Sequence, residues 1–341
     1  MAENKKLDYS ILSKRRNDLF GISIVSIVIF HYFLLSKLVL AAEYKALVGS
    51  VGVPIFLVLS GMGLFFSMSK NPDLKNFYKK RLVRVLIPYF IVSCVHFLVR
   101  YVIIEGKNFV QFLKGVFFVD FFTKGDSQFW FICLILIMYV FFPLFFKLFQ
   151  SGKKNFLKLV ILVGVVVAFN FALGKLAPAF YKNIEVMLTR IPAFIIGVYI
   201  GEKVYNKRPV QIPFWVIVGL GSAVFVYFSI KKSVLGVAPP AGVIIRYGET
   251  VYSLLLMMVL SLVLEAIQSL TFSKICAFFG AMSLELYMVH VSLRSIMGLV
   301  NFPASNALYY TVMIAIAIGI CFFLQKFDGF ATKKLTAGKK K

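Results

Sequence analysis

Apolar positions in this chain fall in runs of about 20 residues, separated by short connections where Lys, Arg, Gly and Pro collect. A helix rises about 1.5 Å per residue, so each run can cross roughly 30 Å of hydrocarbon while satisfying its own backbone polar groups. Ten spans are predicted, at about 20–40, 48–68, 86–104, 129–149, 157–174, 190–203, 212–230, 249–267, 276–298 and 306–325. The sixth is short and the ninth is interrupted by polar residues. A membrane barrel of strands would show shorter alternating segments instead. The expected fold class is an all-α integral membrane protein, a bundle of about ten transmembrane helices. Residues 1–341 form one domain, with a basic segment at 1–19 and a basic tail at 326–341.

Composition sharpens this picture. With 60% hydrophobic and 15% charged residues and a mean hydropathy of +0.87, an ordinary soluble domain is excluded. The formal charge of +24 raises the question of nucleic acid, but the Lys and Arg residues lie in blocks between apolar runs rather than on one basic face. Their first reading is topology. When alternate connections are assigned to the cytoplasm, beginning with the N-terminus, that side receives 25 of the 38 basic residues. Both termini are therefore expected in the cytoplasm, with the bundle in the plasma membrane. The start of the chain has no small-residue cleavage pattern, so the first span is expected to be retained. Cys94, Cys133, Cys276 and Cys321 are dispersed, and neither a disulfide framework nor a metal site is expected. The basic-side connections are too short to hold a soluble domain. The opposite connections at 105–128, 175–189 and 231–248 are longer and can wall an outward cavity.

Ionisable groups inside apolar spans are costly and need a partner, a cavity or a function. His31 lies eleven residues beyond Phe20, roughly 16 Å into the first span. A neutral imidazole there suits a general base for acyl transfer to an alcohol, or it is a buried histidine satisfied by a neighbour. In the ninth span, Ser283, Tyr287 and His290 share one helical face and form a polar stripe, while Glu285 points elsewhere. Each of Glu285 and His290 is expected to find its partner on another helix. His96 has no motif around it and reads as structural. Arg81 and Arg84 share a face just before the third span, where two guanidinium forks can bind phosphates or anchor the helix to anionic lipid headgroups. Ser60 beside Gly61 suggests close helix packing rather than a nucleophile. Trp130, at the outer end of the fourth span, marks the interface or stacks on a sugar ring.

Several of these segments together resemble the membrane acyltransferase-3 family, which O-acylates bacterial surface polysaccharides, peptidoglycan and lipid-linked sugars. NDLFGISIVSIVIFH is similar to the family opening, with Asp18, Gly21 and His31 at the matching positions. VGVPIFLVLSGMGLFFS resembles its second-helix signature, FYKKRLVRVLIPYF its Arg-x-x-Arg-then-Pro segment, QFWFICLILIMYVFFPLFF its Trp-Phe helix, and FFGAMSLELYMVH its Ser-x-x-x-Tyr-x-x-His segment. The family commonly has an arginine eleven positions before the histidine. Phe20 stands there in this chain, and Arg15 and Arg16 are the neighbouring candidates for its role.

The resemblance implies an acyl-coenzyme A donor, acetyl-coenzyme A by expectation, entering from the cytoplasm as a substrate rather than a permanently bound cofactor. It implies a polysaccharide or lipid-linked sugar acceptor. Arg81 and Arg84 would meet the donor's phosphates, His31 with Asp18 would carry the chemistry, and Ser60, Trp130, Glu285, Tyr287 and His290 would line the substrate cavity. Lipid is the surrounding partner and nucleic acid is not one. Two alternatives come from other classes: an exporter using the same polar cavity without chemistry, or a noncatalytic scaffold binding polysaccharide-synthesis enzymes.

Overall fold

A computed structural model of the chain describes residues 8–35, 47, 49–235, 242–301 and 306–336. The start of the basic N-terminal segment, the far end of the first expected span, part of the 231–248 connection and the end of the basic tail lie outside the described residues. Apart from an isolated bridge between Asp8 and Pro209, the described residues contain no strand.

A short α1 (Ser10–Lys14) leads into α2 (Arg16–Leu35), followed by α3 (Gly52–Lys70) and α4 (Leu74–Phe97), which continues as a π-helical turn over Leu98–Ile104. Two short helices, α5 (Phe109–Val116) and α6 (Val119–Lys124), precede α7 (Trp130–Phe149) and α8 (Asn155–Leu176). Then come α9 (Pro178–Leu188), α10 (Ile191–Tyr205), α11 (Ile212–Leu235), α12 (Gly242–Ile267), α13 (Leu270–Ala281), α14 (Ser283–Leu299) and α15 (Ala307–Thr336). Among the described residues, nine segments are long and apolar enough to cross a membrane, counting α9 with α10 as one. The pair α13 and α14 is bent by 65° and makes a tenth if it forms one span.

Three boundaries differ from the sequence expectation for physical reasons. The third span starts at Leu74 because Asp73 caps it, accepting from the backbone N–H groups of Lys75 and Asn76. Arg81 and Arg84 therefore sit inside α4, two and three turns from its start, rather than before it. The short sixth span gains α9 in front of it, giving Pro178–Tyr205. The polar residues of the ninth span coincide with the bend after Ala281, where the chain re-starts as α14.

Helices α3 and α10 form the centre, with 67% and 78% of their spans buried, whereas α8 has 11% buried and turns Val160, Ile161, Val165 and Phe169 outward. The central contact depends on missing side chains. A Cβ at Gly61 would stand 2.5 Å from the Phe194 carbonyl oxygen, and one at Gly197 would overlap the Val58 carbonyl. Two helices approach this closely only where both present glycine. The packing reading of Ser60 and Gly61 thus describes Gly61.

At the basic end, Lys14 and Arg15 pair with Glu265 of α12, Arg15 also reaches Asp18 at 3.4 Å, and Asp18 accepts from the Ser273 hydroxyl of α13 at 3.2 Å. This clasp holds the start of α2 against α12 and α13. Further along, a Cβ at Gly21 would overlap the Cys276 carbonyl.

Candidate active site

A cavity of about 420 Å³ opens at the basic end between α2, α3, α4, α7, α13 and α14. Its lining includes Arg16, Arg81 and Arg84, together with Ser60, Tyr139 and Tyr287. Among the described residues, none of the three arginines forms an ion pair with a carboxylate. Arg16 and Arg81 are half-buried and Arg84 is exposed; guanidinium groups gathered without acids have the chemistry to receive phosphate oxygens.

Arg15 and Arg16 separate cleanly. Arg15 is committed to the clasp with Glu265 and Asp18. Arg16 turns into the cavity, its guanidinium carbon 4.7 Å from the Phe20 ring centre. Its other neighbour is Gly63, where a Cβ would stand 2.6 Å from Arg16 Nη2. Phe20, at the family's arginine position, thus forms an aromatic platform for an arginine placed one turn earlier.

Beyond the cavity lie the two histidines. Ile27 and Tyr287 line its inner end, and His31 and His290 stand one turn further along their respective helices. His31 Nδ1 and His290 Nε2 are 2.8 Å apart, and His290 Nδ1 is 2.6 Å from the Leu286 carbonyl oxygen. A carbonyl only accepts, so His290 carries its proton on Nδ1 and offers the Nε2 lone pair. His31 then donates from Nδ1, which leaves its Nε2 as a lone pair with no hydrogen bond among the described residues. The chain of bonds fixes the tautomer a general base requires. Because α2 begins at Arg16, His31 is about 22 Å along the helix, farther from the basic end than counting from Phe20 suggests.

The remaining expected residues divide. Ser60 and Tyr287 line the cavity, and Tyr287 sits with its ring centre 6.2 Å from that of His290. Ser283 lines it too, so the polar stripe of α14 does face inward. Asp18 is held by Arg15 and Ser273, thirteen residues or roughly 20 Å along α2 from His31, and is not brought to it. Glu285 is 3% exposed and Trp130 is half-buried against Phe131, and neither lines this cavity. His96 bonds the Ser292 hydroxyl at 2.9 Å, fastening α4 to α14. Sequence reasoning left the partner of each intramembrane histidine open. The available signal was that both lacked a local partner at comparable depth in separate spans.

Comparison with known proteins follows the same lines. A family model described as an acyltransferase domain, that of acyltransferase-3, matches residues 21–326. A protein of Acidianus two-tailed virus, named "Putative acetyltransferase ORF330", is 26% identical over 311 residues, covering 88% of this chain and 90% of its own length. No solved structure matches the chain.

Proposed function

The chain belongs to the acyltransferase-3 family, and from that premise we propose that it is a plasma-membrane O-acetyltransferase with both termini in the cytoplasm. It moves an acetyl group from cytoplasmic acetyl-coenzyme A to a hydroxyl of a cell-envelope or exported polysaccharide or lipid-linked sugar. The observation that carries this reading is the hydrogen-bonded line His31–His290–Leu286, one helical turn beyond a cavity lined by three arginines that form no ion pair among the described residues.

Donor phosphates bind Arg16, Arg81 and Arg84, and the long pantetheine arm runs inward past Ser60 and Tyr287 toward the histidine pair. His31 Nε2 takes the proton of the acceptor hydroxyl as its oxygen attacks the thioester carbonyl carbon. The new C–O bond forms, the C–S bond breaks, and the imidazolium returns the proton to the departing thiolate. His290 fixes the orientation and tautomer of His31 and shares the positive charge while it exists. General bases of this kind contribute about 10²- to 10⁴-fold to the rate.

The test is release of coenzyme A from acetyl-coenzyme A by the purified protein in lipid, with and without a cell-envelope glycan extract. Glycan-dependent release that falls by at least about 10²-fold in a folded His31→Ala variant supports the reading. Full turnover in that variant removes the base assignment. Absence of both donor binding and release in the wild type turns the reading toward an exporter or a scaffold.

A further inference from the structure

A second cavity, of about 410 Å³, lies at the opposite end of α4 from Arg81 and Arg84. The volume falls within the roughly 300–1,000 Å³ of small-molecule sites, but unlike most of them this one is lined almost wholly by polar groups. Its wall is built by Arg100 and Tyr101 in the π-helical turn after α4, Lys107 just beyond that turn, Lys124 at the end of α6 with Gly125 to Gln128 after it, and Ser295 on α14. Gly125 closes α6 with φ of +73°, a conformation other residues adopt only with strain, and so turns Asp126 inward. Asp126 accepts from Arg100 at 2.7 Å and from the Tyr101 hydroxyl at 2.9 Å.

The three bases of this wall are paired with acids, Asp126 in the lining and Glu105 and Asp120 behind it, in contrast to the arginines at the basic end. Arg100, Lys107 and Lys124 are matched by Glu105, Asp120 and Asp126, through Arg100 to Glu105 and Asp126, Lys107 to Glu105, and Lys124 to Asp120 at 3.0 Å. Burial acts to raise the Glu105 carboxyl, but hydrogen bonds and charges from Lys107 and Arg100 bring it below its ordinary value. With each base paired to an acid, carboxylate, guanidinium, amide and hydroxyl groups at close quarters offer both donors and acceptors to a ligand. That is the chemistry of an uncharged polyol.

The site is tied to the histidines. The Gln128 side chain donates to the Val291 carbonyl next to His290, and the Tyr287 hydroxyl reaches the Gln128 carbonyl at 3.5 Å. Helix α14 therefore runs from the arginine cavity at Ser283 and Tyr287, past His290, to this second cavity at Ser295, five residues or roughly 7.5 Å beyond His290.

We propose that this second cavity is the acceptor's docking site and takes an uncharged sugar ring, distinct from the phosphate-binding cavity of the donor. The assignment rests on the acyltransferase reading for its role, though not for the chemistry of the site.

The chain has two tryptophans, Trp130 and Trp215, and Trp130 lies two residues from Gln128. In a Trp215→Phe background, Trp130 fluorescence is titrated with methyl glycosides of glucose, galactose, rhamnose and N-acetylglucosamine, and with inorganic phosphate. At least one glycoside is expected to give a saturable change, phosphate none. Asp126→Asn and Ser295→Trp should each weaken the glycoside response at least tenfold, whereas Arg16→Ala should leave it unchanged; Ser295→Trp is read by competition with the wild type for a spin-labelled glycoside, since it adds an indole. A saturable response to phosphate, or none to any glycoside, overturns the proposal. Coenzyme A release is measured in parallel. Turnover without glycoside binding overturns this site and spares the acyltransferase reading, and glycoside binding without any donor turnover does the reverse.

Discussion

At the scale of single residues, the arrangement separates groups that the sequence places side by side. Arg15 and Arg16 are adjacent, yet one holds the clasp with Glu265 and the other faces the cavity at the basic end. Arg16→Ala should raise KM for acetyl-coenzyme A by about 10- to 100-fold, the effect of losing a charge-assisted hydrogen bond of roughly 1.5–3 kcal/mol, with little change in kcat. Arg15→Ala should leave KM alone and lower the melting temperature instead. Steady-state kinetics beside a thermal melt in detergent checks both. His290→Ala should lower kcat by about 5- to 10-fold, from the lost hydrogen bond to His31 of roughly 1–1.5 kcal/mol, while donor binding stays intact. Equal damage to donor binding would show that His290 acts on the cavity rather than on His31. Much of this level was legible beforehand: intramembrane histidines are rare enough to single out His31 and His290. Their bond was not, because a contact between residues 259 positions apart leaves no local pattern.

At the scale of elements, the legible features were those with a period. Runs of apolar residues located nearly every helix, and the spacing of Ser283, Tyr287 and His290 gave the inward face of α14. Boundaries were less accessible, since they depend on caps and bends such as Asp73 before α4 and the 65° break before α14. The glycines of α2, α3 and α10 are a third class, visible as small residues but not as contacts. Gly197→Ala should destabilise the bundle by about 1–3 kcal/mol, because its methyl group meets a backbone carbonyl that cannot swing away. Gly164→Ala, on the lipid-facing α8 with open space around it, is the control and should melt like the parent. Indistinguishable melting of the two variants would refute the close-packed contact between α3 and α10.

At the scale of the whole molecule, the two cavities lie at opposite ends of α4, with Arg84 in one and Arg100 in the other, sixteen residues or roughly 24 Å apart. With donor and acceptor bound as proposed, the two substrates enter through separate doors. In sealed vesicles of uniform orientation, a membrane-impermeant thiol reagent should label Arg84→Cys from one side and Ser295→Cys only from the other. Labelling of both from a single side would end the two-door account. The neighbouring lysines marked Arg81 and Arg84 as belonging to a basic connection. For the second cavity the sequence offered only the length of the 105–128 connection, because its acids and bases are interspersed over residues 100–128 and form no block of one sign.

The hydrogen-bonded line from His31 ends at the Leu286 carbonyl, and an amide oxygen is too weak a base to carry a proton onward. In the proposed reaction a proton lifted from the acceptor meets no further base along this line among the described residues, and passes instead to the sulfur that leaves. The pair is a cul-de-sac rather than a wire. On the proposed mechanism, an ester bond is made inside an energised membrane without opening a leak for the ion gradient across it.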